Sequence, residues 1–332
     1  MEFRTSIKAN EGKGFLNHSD GVVMIGSCFS DNVGARMRQA MMQVDINPFG
    51  TLYNPMSIAA SVHRIIEARP VESADMVHAN GLWNSYLFHS RYSRVDKMAA
   101  MKLMNERIER AHRHLRQARL AIFTLGTAVT YRLKTDDRVV SNCHKLPQHN
   151  FRRGIEEVGA MGVALLGMVE ALHLFNPDLR IVFTVSPIRH IADGLETNSL
   201  SKAALRLAVE TVRSQYPDIV DYFPAYEIML DDLRDYRFYA ADMVHPTDVA
   251  VDYIWQIFQA TYLADRAAPA VARCERVWKR LMHRPNTESR EMAERFNSDT
   301  LAVVKNLAKE YPYITSIREV RNLLDSDGKN SI

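Results

Sequence analysis

Residues 21–41 read GVVMIGSCFSDNVGARMRQAM, and the fold follows from them. The first seven form a β-branched, apolar run that closes on Gly26-Ser27. The next fourteen place Phe29, Val33, Met37 and Met41 at helical spacing. A buried strand feeding a helix is the first half of a βαβ unit. Working outward, residues 41–49 predict a second strand, and Asn54-Pro55 a capped helix start. Residues 70–95 are irregular and aromatic-rich, and 96–117 predict a polar amphipathic helix. Residues 119–126 read as the next buried strand, and 130–142 as a hairpin around Asp136-Asp137. A long apolar helix over 154–175, a strand over 179–186 and a helix over 201–216 follow. A weaker strand over 222–229 and a core helix opened by Pro246 complete the alternation. Strands alternating with helices from 21 to about 264 imply a mostly parallel sheet covered on both faces.

The domain expected from this pattern spans residues 1–267, with the aromatic insertion and the hairpin as excursions from it. Residues 268–324 turn helical and more charged, and predict a helical extension that is a candidate surface for homo-oligomer formation. Residues 325–332 are polar and predict a disordered tail. Of 332 residues, 47% are hydrophobic and 24% charged, the proportions of a globular protein. The net charge of +3, from 42 basic and 39 acidic groups, gives no reason to expect a nucleic-acid partner. Cys28, Cys143 and Cys274 are odd in number and lack Cys-x-x-Cys spacing. That argues against a disulfide framework and a cysteine zinc site, and suits a reducing compartment. The first 21 residues hold no apolar run resembling a signal peptide, and no uninterrupted apolar stretch approaches about 18 residues. The expectation is a cytoplasmic protein without a membrane partner.

In an open α/β sheet, ligands bind at the carboxyl ends of the strands. The pentapeptide ADMVH occurs twice, at residues 74–78 and 241–245. An Asp three residues before a His can orient an imidazole, although chance supplies roughly one such match in a chain of this composition. The first copy lies in the irregular insertion. The second follows the fifth strand and precedes a helix start, so Asp242 and His245 are the candidates, with Asp75 and His78 as the control. Ser27 stands at a strand-to-helix junction, where backbone N–H groups favour developing negative charge. With His245 as base and Asp242 fixing its tautomer, Ser27 is a candidate nucleophile; the competing reading makes it a helix cap. Cys28 is the alternative nucleophile, against which stand the different direction of consecutive side chains and the usual burial of cysteine.

The motifs IGSCFSDNVG (25–34), NPFGTLYNP (47–55), TLGTAVTY (124–131), VVSNCHKLP (139–147), TVSPIRHIADGL (184–195) and YFPAYEIMLDDLRDYRFYAADMVHP (222–246) resemble the GSCFA-domain family. Here the name-giving motif is Gly26 to Ser30, with Ser30 in place of the usual Ala. GSCFA proteins are similar to the SGNH (GDSL-like) hydrolases. The resemblance implies a flavodoxin-like, SGNH-type three-layer α/β/α fold with a mostly parallel five-stranded sheet. It also implies a Ser27–His245–Asp242 triad for an esterase or O-acyltransferase acting on an acyl ester of a small molecule or carbohydrate, without a cofactor. Gly50 is then expected to offer an N–H to the oxyanion. Where SGNH enzymes carry an oxyanion-binding Asn after the third strand, this chain has Ala128, and Thr127 or Asn142 is the candidate substitute. The altered motif leaves a second reading open, a non-catalytic binding module using the same cleft.

His144 with Lys145, and Arg189 with His190, follow elements that point toward the same sheet edge. His144, Arg189 and His190 are therefore candidate substrate contacts, with loop bracing as the plainer role for Arg189. The histidines have no close ligand spacing, so no metal site is expected. Residues 233–239, LRDYRFY, read as a loop whose arginines lie on aromatic rings rather than as a nucleic-acid surface.

Overall fold

The computed structural model describes residues 5–7, 14–283 and 289–314; the tail expected over 325–332 lies outside the described residues. In chain order the strands are β1 (Gly21–Gly26), β2 (Val44–Ile46), β3 (Met76–Ala79), β4 (Leu82–Ser85), β5 (Ala118–Leu125), β6 (Val129–Leu133), β7 (Val139–Val140), β8 (Phe151–Ile155), β9 (Arg180–Val185) and β10 (Val220–Tyr222). The helices are α1 (Cys28–Gln39), α2 (Pro55–Ile66), α3 (Lys97–Gln117), α4 (Val158–Phe175), α5 (Gly194–Gln215), the single turn α6 (Ala225–Glu227), α7 (Asp248–Tyr262), α8 (Ala268–Met282) and α9 (Arg290–Glu310).

The central sheet runs β10-β9-β5-β1-β2, all parallel. Alternate residues of each strand face opposite layers, as a side-chain period of two requires. Val23, Ile25, Phe123, Phe183 and Val185 join α2, α3, α4 and α5 in one apolar cluster. Val22, Met24, Leu120, Ile122 and Val182 join α1 and α7 in the other. The result is a three-layer α/β/α fold with the flavodoxin-like strand order. Each large apolar side chain wholly buried there, such as Phe123 or Ile25, contributes about 1.5–3 kcal/mol. The sheet's order reverses between β1 and β5, and the cleft at a reversal, beyond the strands' carboxyl ends, is where this architecture binds ligands.

Three expectations need correction. β2 covers only Val44–Ile46, because the chain leaves the sheet at Asn47, whose φ is +45°. The fifth strand lies at Val220–Tyr222 and not at 222–229: Pro224 follows at once, and residues 225–232 coil into α6 and a π turn. The stretch 70–95 is partly regular, since β3 and β4 pair as an antiparallel hairpin. In addition, α4 is by length and composition apolar enough to cross a membrane. Met161, Leu165, Met168 and Leu172 of α4 are buried in the core it shares with α2 and α5. In the extension, Cys274 and Val277 of α8 pack with Val304 and Leu307 of α9 on Met41.

Gly26 fixes the end of β1. Its φ is +153°, and a Cβ there would lie 2.2 Å from the Thr124 carbonyl oxygen and 2.7 Å from the Thr124 nitrogen. Both clashing atoms are backbone of the neighbouring strand, so no side chain can move to make room. Gly26→Ala is expected to destabilise the fold by about 3 kcal/mol or more, read from the urea midpoint. An unchanged midpoint would contradict the β1–β5 register.

Candidate active site

The chain passes from β1 straight into α1, and one residue decides which side chain faces the cleft. Ser27 is the helix N-cap, extended at φ −67° and ψ 171°, and its Oγ accepts the Phe29 N–H at 3.3 Å. Its own N–H donates to the Thr124 carbonyl at 3.0 Å, and the residue is wholly buried. Cys28, the first helical residue, is partly exposed, and its Sγ lies 3.9 Å from His245 Nε2. The expectation of Ser27 as nucleophile is thus corrected. Its hydroxyl serves as a cap, and Cys28, the alternative candidate, is the side chain aimed at the imidazole. The backbone N–H groups of Cys28 and Phe29 at the helix start favour the thiolate, against the larger opposing effect of burial.

Asp242 builds the other half of the site. Its Oδ1 accepts the N–H groups of Val244 (2.9 Å) and His245 (3.0 Å), closing a turn in which Met243 takes φ +58°. Its Oδ2 lies 2.6 Å from His245 Nδ1. One carboxylate therefore both shapes the loop and orients the ring, leaving Nε2 free to accept from the thiol. The loop is pinned at both ends, by the Ala240 N–H on the His245 carbonyl (2.8 Å) and by Thr247 capping α7. The side chains of Asp242 and His245 are about half exposed, so an outside molecule can reach them.

The two carboxyl and thiol groups are shifted in opposite directions. The Val244 and His245 N–H groups, with the imidazole, hold the Asp242 carboxyl down to about 2. Burial, with Asp31 nearby, pushes the Cys28 thiol above its ordinary value, so it rests protonated and requires a base.

Two of the expected oxyanion donors, Gly50 and Thr127, are otherwise engaged. The Gly50 N–H donates to the Asn47 carbonyl at 2.8 Å. Thr127 Oγ1 is 3.0 Å from Ser201 Oγ and accepts the Val129 N–H. Asn142 Oδ1 caps the His144 N–H at 2.8 Å. His144 is buried with Nε2 2.8 Å from the Ser85 carbonyl, which ties it to β4 instead of the cleft. Arg189 lies over the rings of Tyr239 (4.1 Å) and Tyr236 (5.4 Å), and its N–H reaches the Val244 carbonyl. It braces the loop that carries His245, which is the plainer of its two expected roles.

His190 does border the site. A methyl added to Gly126, at the end of β5, would meet His190 Nε2 at 3.1 Å, Tyr53 Cδ1 at 3.2 Å and Ser27 Cβ at 3.3 Å. Burial, then Lys202 and His245, hold the His190 imidazole down to about 4. Lys202 is a residue that the sequence does not flag. It sits on α5 among strong helix formers, yet its Nζ is buried and donates to the carbonyls of Gly126 (2.6 Å) and Ser186 (2.8 Å). It thereby clamps the ends of β5 and β9 beneath the cleft, and burial lowers it to about 7.

The first ADMVH is structural. Asp75 Oδ2 pairs with Arg64 Nη2 at 2.6 Å, and His78 sits across the hairpin from Trp83, ring centroids 5.0 Å apart. A cavity of about 810 Å³ is lined by Gly21, Val44, Ala118 and Trp278, at the opposite end of the sheet from the triad. The triad's place at the reversal of strand order and its hydrogen bonding make it the better candidate site.

The GSCFA family matches residues 21–258. No curated protein matches the chain. Among solved structures, it is similar to an acetyl xylan esterase from the rumen bacterium Butyrivibrio proteoclasticus, at 10% identity and a TM-score of 0.39. That match covers 73% of this chain and 63% of the esterase, so the chain spans less than two thirds of that protein's length. It is also similar to a family 3 carbohydrate esterase of Clostridium thermocellum, at 9% identity and a TM-score of 0.32, covering 73% of this chain and 94% of that one.

Proposed function

We propose that this chain, which belongs to the GSCFA family, transfers acyl groups through a cysteine, with Cys28 as nucleophile, His245 as general base and Asp242 orienting the base. The observation that carries the reading is the continuous run from Asp242 Oδ2 to His245 Nδ1 (2.6 Å) and from His245 Nε2 to Cys28 Sγ (3.9 Å). His245 takes the thiol proton as sulfur attacks the acyl carbon of an ester. The carbonyl pair moves onto oxygen, and collapse expels the alcohol, which takes the proton from His245. A thioester remains on Cys28. Water, or a hydroxyl such as that of a carbohydrate, then gives up a proton to His245 and attacks the thioester, restoring the thiol. Hydrolysis and O-acyl transfer differ only in which acceptor arrives.

The expected signature is a burst of nitrophenol from p-nitrophenyl acetate, stoichiometric with protein, and protection of Cys28 from iodoacetamide during turnover. The engagement of Gly50 and Thr127 elsewhere favours a second reading, a binding cleft without turnover. Absence of both the burst and the protection would decide for it.

A further inference from the structure

With the Gly50 N–H on Asn47 and the Ser27 N–H on Thr124, neither of these backbone groups is free for an acyl oxygen. Ala128, where an asparagine was expected, is buried and brings no donor. His190 stands out against this. Its Nε2 is buried without a hydrogen-bond partner, and it lies against the same Gly126 backbone as Ser27, the residue preceding the nucleophile. A buried ring nitrogen left unpaired is costly, and a substrate oxygen would remove that cost. The residue is also held in place: the His190 backbone N–H donates to Asn198 Oδ1 at 2.9 Å, and the Tyr53 ring packs edge-on against the imidazole at 5.4 Å.

We propose that His190 is the side-chain oxyanion donor of this site, its Nε2–H completing its hydrogen bonding on the acyl oxygen as that oxygen becomes negative. The assignment rests on acyl transfer by Cys28. As the thiolate forms its bond to the acyl carbon, the carbonyl π pair becomes an oxygen lone pair beside Nε2–H. No proton leaves His190, and the hydrogen bond relaxes when the carbonyl re-forms. Its neutral ring suits this role, since a neutral imidazole donates without supplying a proton that could trap the intermediate.

Two reactions of the same sulfur test the assignment. Acylation by p-nitrophenyl acetate passes through an oxyanion; alkylation by iodoacetamide does not. His190→Phe keeps a ring and removes the donor, and His190→Gln restores an N–H. The expected result is a fall of about 10²–10³ in kcat for acyl transfer by His190→Phe, with KM little changed. At least tenfold recovery is expected in His190→Gln, and Cys28 alkylation should match wild type in both variants. If His190→Phe acylates like wild type, or loses acylation and alkylation equally, His190 is not the donor. A wild type that alkylates but never acylates overturns the acyl-transfer reading, and this assignment with it.

Discussion

Cys28→Ala is expected to abolish acyl transfer, by roughly 10⁴-fold or more, whereas Ser27→Ala is expected to retain it. The contrast follows from one step along the chain. Ser27 ends the extended segment and caps α1; Cys28 opens the helix and faces His245. Losing the Ser27 hydroxyl removes the acceptor for the Phe29 N–H, a cap interaction typically worth about 1 kcal/mol. The Ser27 N–H bond to Thr124 is backbone and survives the change. Ser27→Ala should therefore unfold at lower urea than wild type while its turnover stays within a few-fold. Turnover measured with p-nitrophenyl acetate, beside urea midpoints, separates the two roles. Loss of activity in a folded Ser27→Ala, with full activity in Cys28→Ala, would return the nucleophile to the serine.

His245→Ala carries the next largest effect. Burial and Asp31 push the Cys28 thiol upward, so without the imidazole it must ionise unaided. Raised above its ordinary value, the thiol is mostly protonated at pH 7. Acyl transfer should fall by about 10²–10⁴, the usual worth of a general base. Iodoacetamide alkylation of Cys28 in the variant should keep climbing through the alkaline range, beyond where an ordinary thiol levels off. Asp242 contributes a different limit. Its carboxyl titrates below its unfolded value, at about 2, so its support for the loop and ring is complete above about 4 and fades as pH falls toward 2. An acid limb of the wild-type rate profile between pH 4 and 8 therefore cannot be the protonation of Asp242. Equal alkylation profiles for wild type and His245→Ala would remove the imidazole from the mechanism.

The sheet and its layers were legible because each strand of the α/β core ends in a turn signal and each main helix keeps a 3.6-residue apolar spacing. The position of the second ADMVH beside the start of α1 was legible too, since the carboxyl edge of a parallel sheet is where side chains converge from distant segments. What could not be read is phase. Whether Ser27 or Cys28 faces the cleft depends on the residue at which β1 yields to α1, and boundaries are the least certain part of any pattern reading. The strand at Val220–Tyr222 was placed late because the apolar run continues through Phe223, while Pro224 ends the pairing. Lys202 gives no signal, since a lysine on an amphipathic helix is ordinarily solvated and only the tertiary fold turns this one onto two carbonyls. The engagement of Gly50 and Thr127 was hidden for a like reason: their partners lie in the local turn geometry and on α5.

The measurement that bears most directly on the cysteine is intact-mass and peptide mapping of the trapped acyl-enzyme after brief exposure to p-nitrophenyl acetate, on wild type, Ser27→Ala and Cys28→Ala. One acetyl group on Cys28 of wild type and Ser27→Ala, released by neutral hydroxylamine as a thioester and absent from Cys28→Ala, is the expected result. An acetyl group mapped to Ser27, stable to neutral hydroxylamine and still formed in Cys28→Ala, would contradict it.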